Sequence, residues 1–397
     1  MNKLSKRIEG LSESQTVAMN QRSTDLQSKG LNVINLSVGE PNFYTPEVIK
    51  EAAKKAVDNN FSFYSPVPGY PALREAISKK FKRENNLDYA PNQIVVSNGA
   101  KHALANALMV LVDDGDEVIV PAPYWVTYTE LVKLAGGKNV IVDTKFENDF
   151  KMTPGEFRDA ITPETKVLLL CSPNNPTGSL YHEEELKAFA EIIAEHENIF
   201  VITDEIYEHI NFAGKHHSMG QFKEIFDRVV TINGVSKAYA MTGYRIGYLG
   251  AAEWIAKACI KLQGQFTTGP SSIAQQAAIA ALNSDPAFLE ENKKIFIRRR
   301  DLVAKLLSGI IGMKFYIPEG AFYMFPDVSY YFGKSDGNKT IHDSMDFCLH
   351  LLDKAHVATV PGAAFGQPNC IRISYATSDD KLERAVLNMK DVLLKLE

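Results

Sequence analysis

Short polar clusters recur in this chain where apolar runs end, and five of them carry groups able to do chemistry together. They are Ser97-Asn98-Gly99-Ala100-Lys101, Tyr124-Trp125, the run Ser172-Pro173-Asn174-Asn175-Pro176-Thr177-Gly178, then Asp204-Glu205-Ile206-Tyr207, and Ser236-Lys237. Lys237 matters most. A lysine packed among apolar residues loses water, its pKa falls, and its amine becomes free to form a Schiff base with a carbonyl. Alone, a lysine at the end of a strand reads as exposed and inert. Ser236 and Arg245 change that reading, because both can bind the phosphate of a cofactor anchored at the lysine. The run IVVSNGAKHALANAL adds a glycine turn entering a helix, whose free N–H groups and dipole favour an anion. Asp204 offers a carboxylate for a protonated ring nitrogen, and Tyr207 follows at a spacing that aims it at the same ligand. Without the lysine, Asp204 reads as a helix cap.

Five reactive loops need a scaffold that brings them to one edge. From about residue 90, short β-branched runs alternate with helical patterns. The strand candidates are 93–98, 117–122, 139–144, 166–172, 200–205, 228–234 and 245–251, and EEELKAFAEIIAEH (183–196) is one of the helices between them. Several strands are apolar on both faces, which marks a sheet covered by helices on each side. The pattern predicts an α/β fold with a mostly parallel, seven-stranded sheet, and ligands in such sheets bind outside the carboxyl ends of the strands. After a long amphipathic helix at 287–310, KFYIP, AFYMFPDVS, HVATVP and CIRISYA read as short strands before a last helix. The expected organisation is an N-terminal lid and part of a small domain in 1–45, a large domain in 46–285, and a smaller α+β domain in 286–397.

Composition narrows the classes further. With 397 residues, 45% hydrophobic and 23% charged, the chain is long enough for two cores. A formal net charge of −5 gives no pull toward nucleic acid or an anionic membrane. The run Arg298-Arg299-Arg300 sits among acids and reads as a solvated helix face. Cys171, Cys259, Cys348 and Cys370 are too scattered for a CxxC pair, so no metal site is expected. No apolar run approaches a membrane span, and the cytoplasm is the expected compartment. Neither GxGxxG nor GxxxxGK[ST] occurs, which removes the main support for a nicotinamide or nucleoside triphosphate.

The combination of SPNNPTG (172–178), TDEIYEH (203–209), GVSKAYAMTGYRIGY (234–248) and IRISYA (371–376) resembles the class I aminotransferases of pyridoxal-phosphate fold type I. The resemblance runs from LSVGEPNFYTP (36–46) to the last helix. It implies pyridoxal phosphate bound to Lys237, which would also shuttle the substrate proton. Asp204 would pair with the pyridine nitrogen, Tyr207 and Asn175 with the ring oxygen, and Trp125 would stack on the ring, where a core role is the competing reading. Gly99, Ala100, Lys101, Ser236 and Arg245 match the phosphate- and substrate-binding segments. Arg372 would clamp the substrate α-carboxylate with two parallel hydrogen bonds, beside the backbone of Gly39. Tyr64 matches a tyrosine that reaches the phosphate of a neighbouring subunit, which implies a homodimer with shared sites.

Substrate choice rests on fewer residues. Within this family the chain is most similar to bacterial aspartate aminotransferases, where a lysine matching Lys101 faces the distal carboxylate and a threonine matching Thr16 closes over it. Outside this resemblance Lys101 reads as a solvated first-turn lysine and Thr16 as a helix N-cap. L-Aspartate with 2-oxoglutarate is the expected pair, with prephenate or aromatic amino-acid transamination as the alternative. Segments 14–20 and 320–325 (Gly320, Ala321, Phe322, Tyr323) are where that choice is expected to be set. Two readings outside transamination are a lyase on the same scaffold and a regulator retaining the fold as a binding module; the second lacks the basic patch it needs.

Overall fold

The computed structural model describes residues 4–397. Its first strand, β1 (Ile34–Asn35), belongs to a small peripheral sheet. Seven strands then build the central one: β2 (Ile94–Ser97), β3 (Glu117–Ala122), β4 (Lys138–Asp143), β5 (Thr165–Cys171), β6 (Phe200–Asp204), β7 (Val229–Gly234) and β8 (Gly247–Gly250). The spatial order is β2-β8-β7-β6-β5-β3-β4. All pairings are parallel except those of β8, which runs against both β2 and β7. Each of the seven runs expected to be strands contributes one strand.

Alternate side chains of β5 show why these runs are apolar throughout. Val167 and Leu169 pack into one core with Leu104, Ile202 and Ile255, while Leu168 and Leu170 pack into another with Phe189, Ile193 and Val201. The helix Glu183–Ala194 covers the second face with Leu186, Phe189, Ala190 and Ile193, a 3.6-residue stripe. Glu183, Glu184 and Glu185 occupy its first turn, where acids suit the dipole. The helix Ala100–Leu111 covers the first face.

The remaining strands are short: β9 (Tyr323–Met324), β10 (Val357–Ala358), β11 (Val360–Pro361) and β12 (Ile371–Ser374). β1 pairs with β10, and β12 lies between β11 and β9. A third apolar core binds Met19, Leu36, Phe296, Phe322, Val357, Ile373 and Leu382, so residues from both chain ends share one interior. Two expectations need correction. KFYIP forms no strand, only the single bridge Lys314↔Asp327. The arginine run is not simply solvated, because Arg299 shares the inner face of its helix with Phe296 and Val303 and is buried. Its Nε donates to Asp379 Oδ1 at 3.2 Å and its Nη1 to Asn42 Oδ1 at 2.7 Å.

One contact fixes the edge that carries the reactive loops. A Cβ on Gly247 would lie 2.1 Å from the Ala100 nitrogen and 2.4 Å from the Gly99 carbonyl carbon. The start of β8 therefore packs directly on the backbone that opens the helix Ala100–Leu111. Gly247→Ala is expected to cost about 1–3 kcal/mol by overpacking, read as a lowered thermal midpoint of the cofactor-free protein; an unchanged midpoint would mean that the two backbones separate freely.

Candidate active site

The parallel strands end on one edge, and their last residues lead straight to the predicted groups. β2 ends at Ser97 before Gly99, β3 at Ala122 before Trp125, β5 at Cys171 before Asn175, β6 at Asp204, and β7 at Gly234 before Ser236 and Lys237. Arg245 reaches the same edge by the opposite route, since β8 is antiparallel and starts there. From the other sheets come Gly39, just beyond β1, and Arg372 on β12. Twelve of the fourteen residues singled out from sequence line one cleft of about 470 Å³. Gly99 lies against it, and Tyr64 stands apart, 93% exposed.

At the floor, burial raises the carboxyl of Asp204 to a pKa of about 6. Tyr128 Oη donates to its Oδ2 at 2.8 Å and the Ile206 N–H to its Oδ1 at 3.2 Å. It thus has a local capping bond as well as a face on the cleft. Lys237 is lowered to about 8, chiefly by burial, which Glu40 opposes and Arg372 reinforces. Its Nζ donates to the Gly39 carbonyl at 2.5 Å. Tyr207 hydrogen-bonds Tyr323 through the hydroxyls at 2.7 Å, and burial holds its pKa well above the usual tyrosine value.

One end of the cleft is built for an anion. Gly99, at φ +86°, precedes the helix whose first residues, Ala100 and Lys101, line the cleft, and a Cβ there would lie 2.3 Å from Arg245 Nη2. Only glycine allows that approach. The guanidinium of Arg245 is held by the carbonyls of Thr242 at 3.0 Å and Asn98 at 3.3 Å, with Ser236 on the same wall.

The other end suits a carboxylate. Arg372 is 1% exposed and, among the described residues, has no acidic partner within salt-bridge distance. Its Nη1 donates to Asn175 Oδ1 at 2.8 Å and its Nη2 to the Ser37 carbonyl at 2.7 Å, while its buried Nε is unpartnered. The rings of Tyr323 and Phe365 lie 4.5 and 5.0 Å from its guanidinium carbon. A buried cation without a counter-charge is costly, by several kcal/mol, and a ligand carboxylate would relieve it. Lys101 Nζ lies 4.8 Å from the centre of the half-buried Trp125 ring. Lost hydration and Arg245 lower its pKa. Ser14 precedes the helix Gln15–Ser28 as its N-cap, so Thr16 is not the cap; its hydroxyl is buried in the cleft without a partner.

Tyr128, Tyr323 and Asn20 also line this cleft and were not assigned individual roles from sequence. Tyr128 could have been found, three residues after Trp125 and so one helical turn on. Tyr323 falls inside the segment expected to set substrate choice, but nothing in its local sequence announces the bond to Tyr207.

The arrangement can hold an anionic group at one end, a carboxylate at the other, and between them a flat cationic ring over Asp204 beside a free amine. A family model described as aminotransferase class I and II matches residues 32–388. The chain is 45% identical to a bifunctional aspartate aminotransferase and glutamate/aspartate-prephenate aminotransferase of Petunia hybrida, over 99% of this chain and 83% of that one. It is 44% identical to an aspartate aminotransferase of Bacillus subtilis, over 98% of each. The crystal structure of an aspartate aminotransferase from Rhizobium meliloti matches all of both chains with TM-score 0.96 at 40% identity. That of the Thermus thermophilus aspartate aminotransferase with maleate covers 99% of this chain and all of its own, with TM-score 0.93 at 41% identity. The chain belongs to the class I and II aminotransferases, and its reaction is transamination.

Burial of Asp204 has a measurable cost. Raised from the ordinary carboxyl range to about 6, its charge destabilises the cofactor-free fold by about 3 kcal/mol above pH 6, and the penalty vanishes below pH 4. Asp204→Asn should therefore stabilise the cofactor-free protein at pH 8, with the gain shrinking toward pH 4.5 in urea titrations. Equal stability at both values would show that the carboxylate is already compensated.

Proposed function

We propose that this chain is a pyridoxal-phosphate-dependent aspartate aminotransferase, exchanging the amino group of L-aspartate with 2-oxoglutarate by a ping-pong mechanism. The observation that carries it is the pairing of a lysine lowered to about 8 with a buried acid raised to about 6, between an anion cradle and an unpaired buried arginine. The cofactor fits this donor set: its phosphate suits Gly99, Ala100, Ser236 and Arg245, its ring the face of Trp125, and its ring oxygen Tyr207 and Asn175. When bound, pyridoxal phosphate supplies a carbon that holds amines covalently and a ring that withdraws electrons.

The chain's own residues do the rest. Arg372 takes the substrate α-carboxylate and so fixes the direction of the Cα–H bond. Lys237 Nζ, its pKa lowered to about 8, would take the Cα proton of the substrate and hold it for return once the cofactor has taken the amine. Asp204 holds the ring nitrogen protonated, which its own electrostatic need for a cation favours. Lys101 and Thr16 meet the distal carboxylate, with the N-terminal stretch that carries Thr16 acting as a lid; within it Ser12 N donates to Glu130 Oε2 at 2.9 Å. Prephenate remains the second reading, because relatives named for both activities are equally similar.

The proposal includes a division into a lid and part of the small domain (1–45), a large domain (46–285) and a small domain (286–397), supported by the core shared between the two chain ends. It also includes a homodimer in which Tyr64 completes the partner's phosphate site; Phe63 and Tyr64, 80% and 93% exposed, support a surface that another chain covers. Four unpaired, buried cysteines suit the reducing cytoplasm.

Lys237→Ala should abolish multiple turnover while leaving the fold intact. Lys101→Ser should raise the KM for aspartate roughly 10- to 100-fold and move a neutral donor less than about 3-fold. Retained turnover in the first variant would overturn the mechanism, and equal losses in the second would confine Lys101 to the cofactor or the fold.

A further inference from the structure

We propose that Asn20 is a specificity-determining residue whose side-chain N–H groups bind the distal carboxylate of the substrate, and that Asn35 enforces that orientation. The inference rests on the dicarboxylate reading above. Asn20 lies four residues after Thr16 on the helix Gln15–Ser28, so both face the cleft one turn apart.

An asparagine amide offers an acceptor at one end and donors at the other, and which end meets a ligand must be deduced from its bonds. Here the deduction is closed. The backbone N–H of Ser37 can only donate, and it bonds Asn35 Oδ1 at 3.0 Å. The Ser37 hydroxyl donates to the same oxygen at 2.7 Å. The Asn35 side chain must then present its Nδ2, which bonds Asn20 at 2.7 Å. The Asn20 atom receiving that bond is its oxygen, so the atom left to meet a ligand is its Nδ2. A donor pair is thereby left free on a residue that lines the cleft together with the unpartnered Thr16 hydroxyl and Lys101.

The same strip of bonds continues to the other end of the site. The Ser37 carbonyl accepts from Arg372 Nη2 at 2.7 Å. One residue thus anchors both the clamp for the α-carboxylate and, through Asn35, the donor for the distal one. The two are joined through a continuous hydrogen-bonded path, which suits a ligand with a carboxylate at each end. A neutral side chain would leave the buried Thr16 hydroxyl without an acceptor and would forgo the charge-assisted bonds that a carboxylate makes with Lys101 and the Asn20 donors.

Asn20→Asp tests this directly, because it keeps the oxygen that accepts from Asn35 and replaces the donors with a carboxylate. The KM for both aspartate and 2-oxoglutarate should rise about 30-fold or more, with kcat/KM for alanine within about 3-fold of the parent. Calorimetric titration of the cofactor-loaded protein with succinate, a dicarboxylate without an amine, should show the same weakening. Asn20→Ala, on an exposed helix position, should give a smaller loss in the same direction. If both variants leave aspartate and succinate within about 3-fold, or depress alanine equally, Asn20 does not read the distal carboxylate. If the unaltered protein already prefers alanine to aspartate, the dicarboxylate reading fails and this inference with it.

Discussion

A carboxylate at the carboxyl end of β6 sets the terms for everything around it. Asp204 is buried, and burial works against its charge. The bonds from Tyr128 and the Ile206 N–H moderate that cost without removing it, because neutral donors do not replace a counter-ion. A cationic ring nitrogen does. The apolar core around the strand is what works against the charge of the acid, so under the proposed function packing would itself favour a cofactor with a cationic ring. Arg372 poses the converse problem at the opposite end, a buried cation bonded only to neutral oxygens. Under the proposed function, the cofactor and the substrate would complete these two charges.

Topology explains how so many distant residues meet. The parallel strands deliver five loops to one edge, and reversing β8 brings Arg245 to that edge as well. Gly99 and Gly247 then allow backbone and guanidinium to approach as closely as the anion cradle requires. The second group of elements, built from both ends of the chain, closes the cleft with Gly39, Thr16 and Arg372. Lys237 reaching the Gly39 carbonyl shows how directly the two groups of elements meet at the reacting centre.

Much of this was legible in the sequence, for reasons that differ by residue. The strands of the central sheet are apolar on both faces and short, and helices of 3.6-residue period separate them, so the fold followed from periodicity. Asp204, Lys237 and Arg372 stood out because their motifs occur together and in order. Tyr128 and Tyr323 did not, since a tyrosine in an apolar stretch looks like core until the partner hydroxyl or carboxylate is seen. Asn20 was hidden more deeply: its orientation depends on Asn35 and Ser37, and no spacing rule links the three. Arg299 misled because charge dominated the reading of a residue whose helical phase, with Phe296 and Val303, pointed inward. KFYIP has the composition of a strand but finds only one bridging neighbour.

The central claim joins Lys237, the cofactor and a dicarboxylate in one reaction, and a single titration addresses all three. Purified protein loaded with pyridoxal phosphate is titrated with L-aspartate while absorbance is followed and oxaloacetate is assayed. The account predicts that the band of the lysine-bound cofactor gives way to that of its amine form, with oxaloacetate appearing in equal amount. A band that forms but ignores aspartate would contradict the substrate assignment, and no such band at all would contradict the role of Lys237.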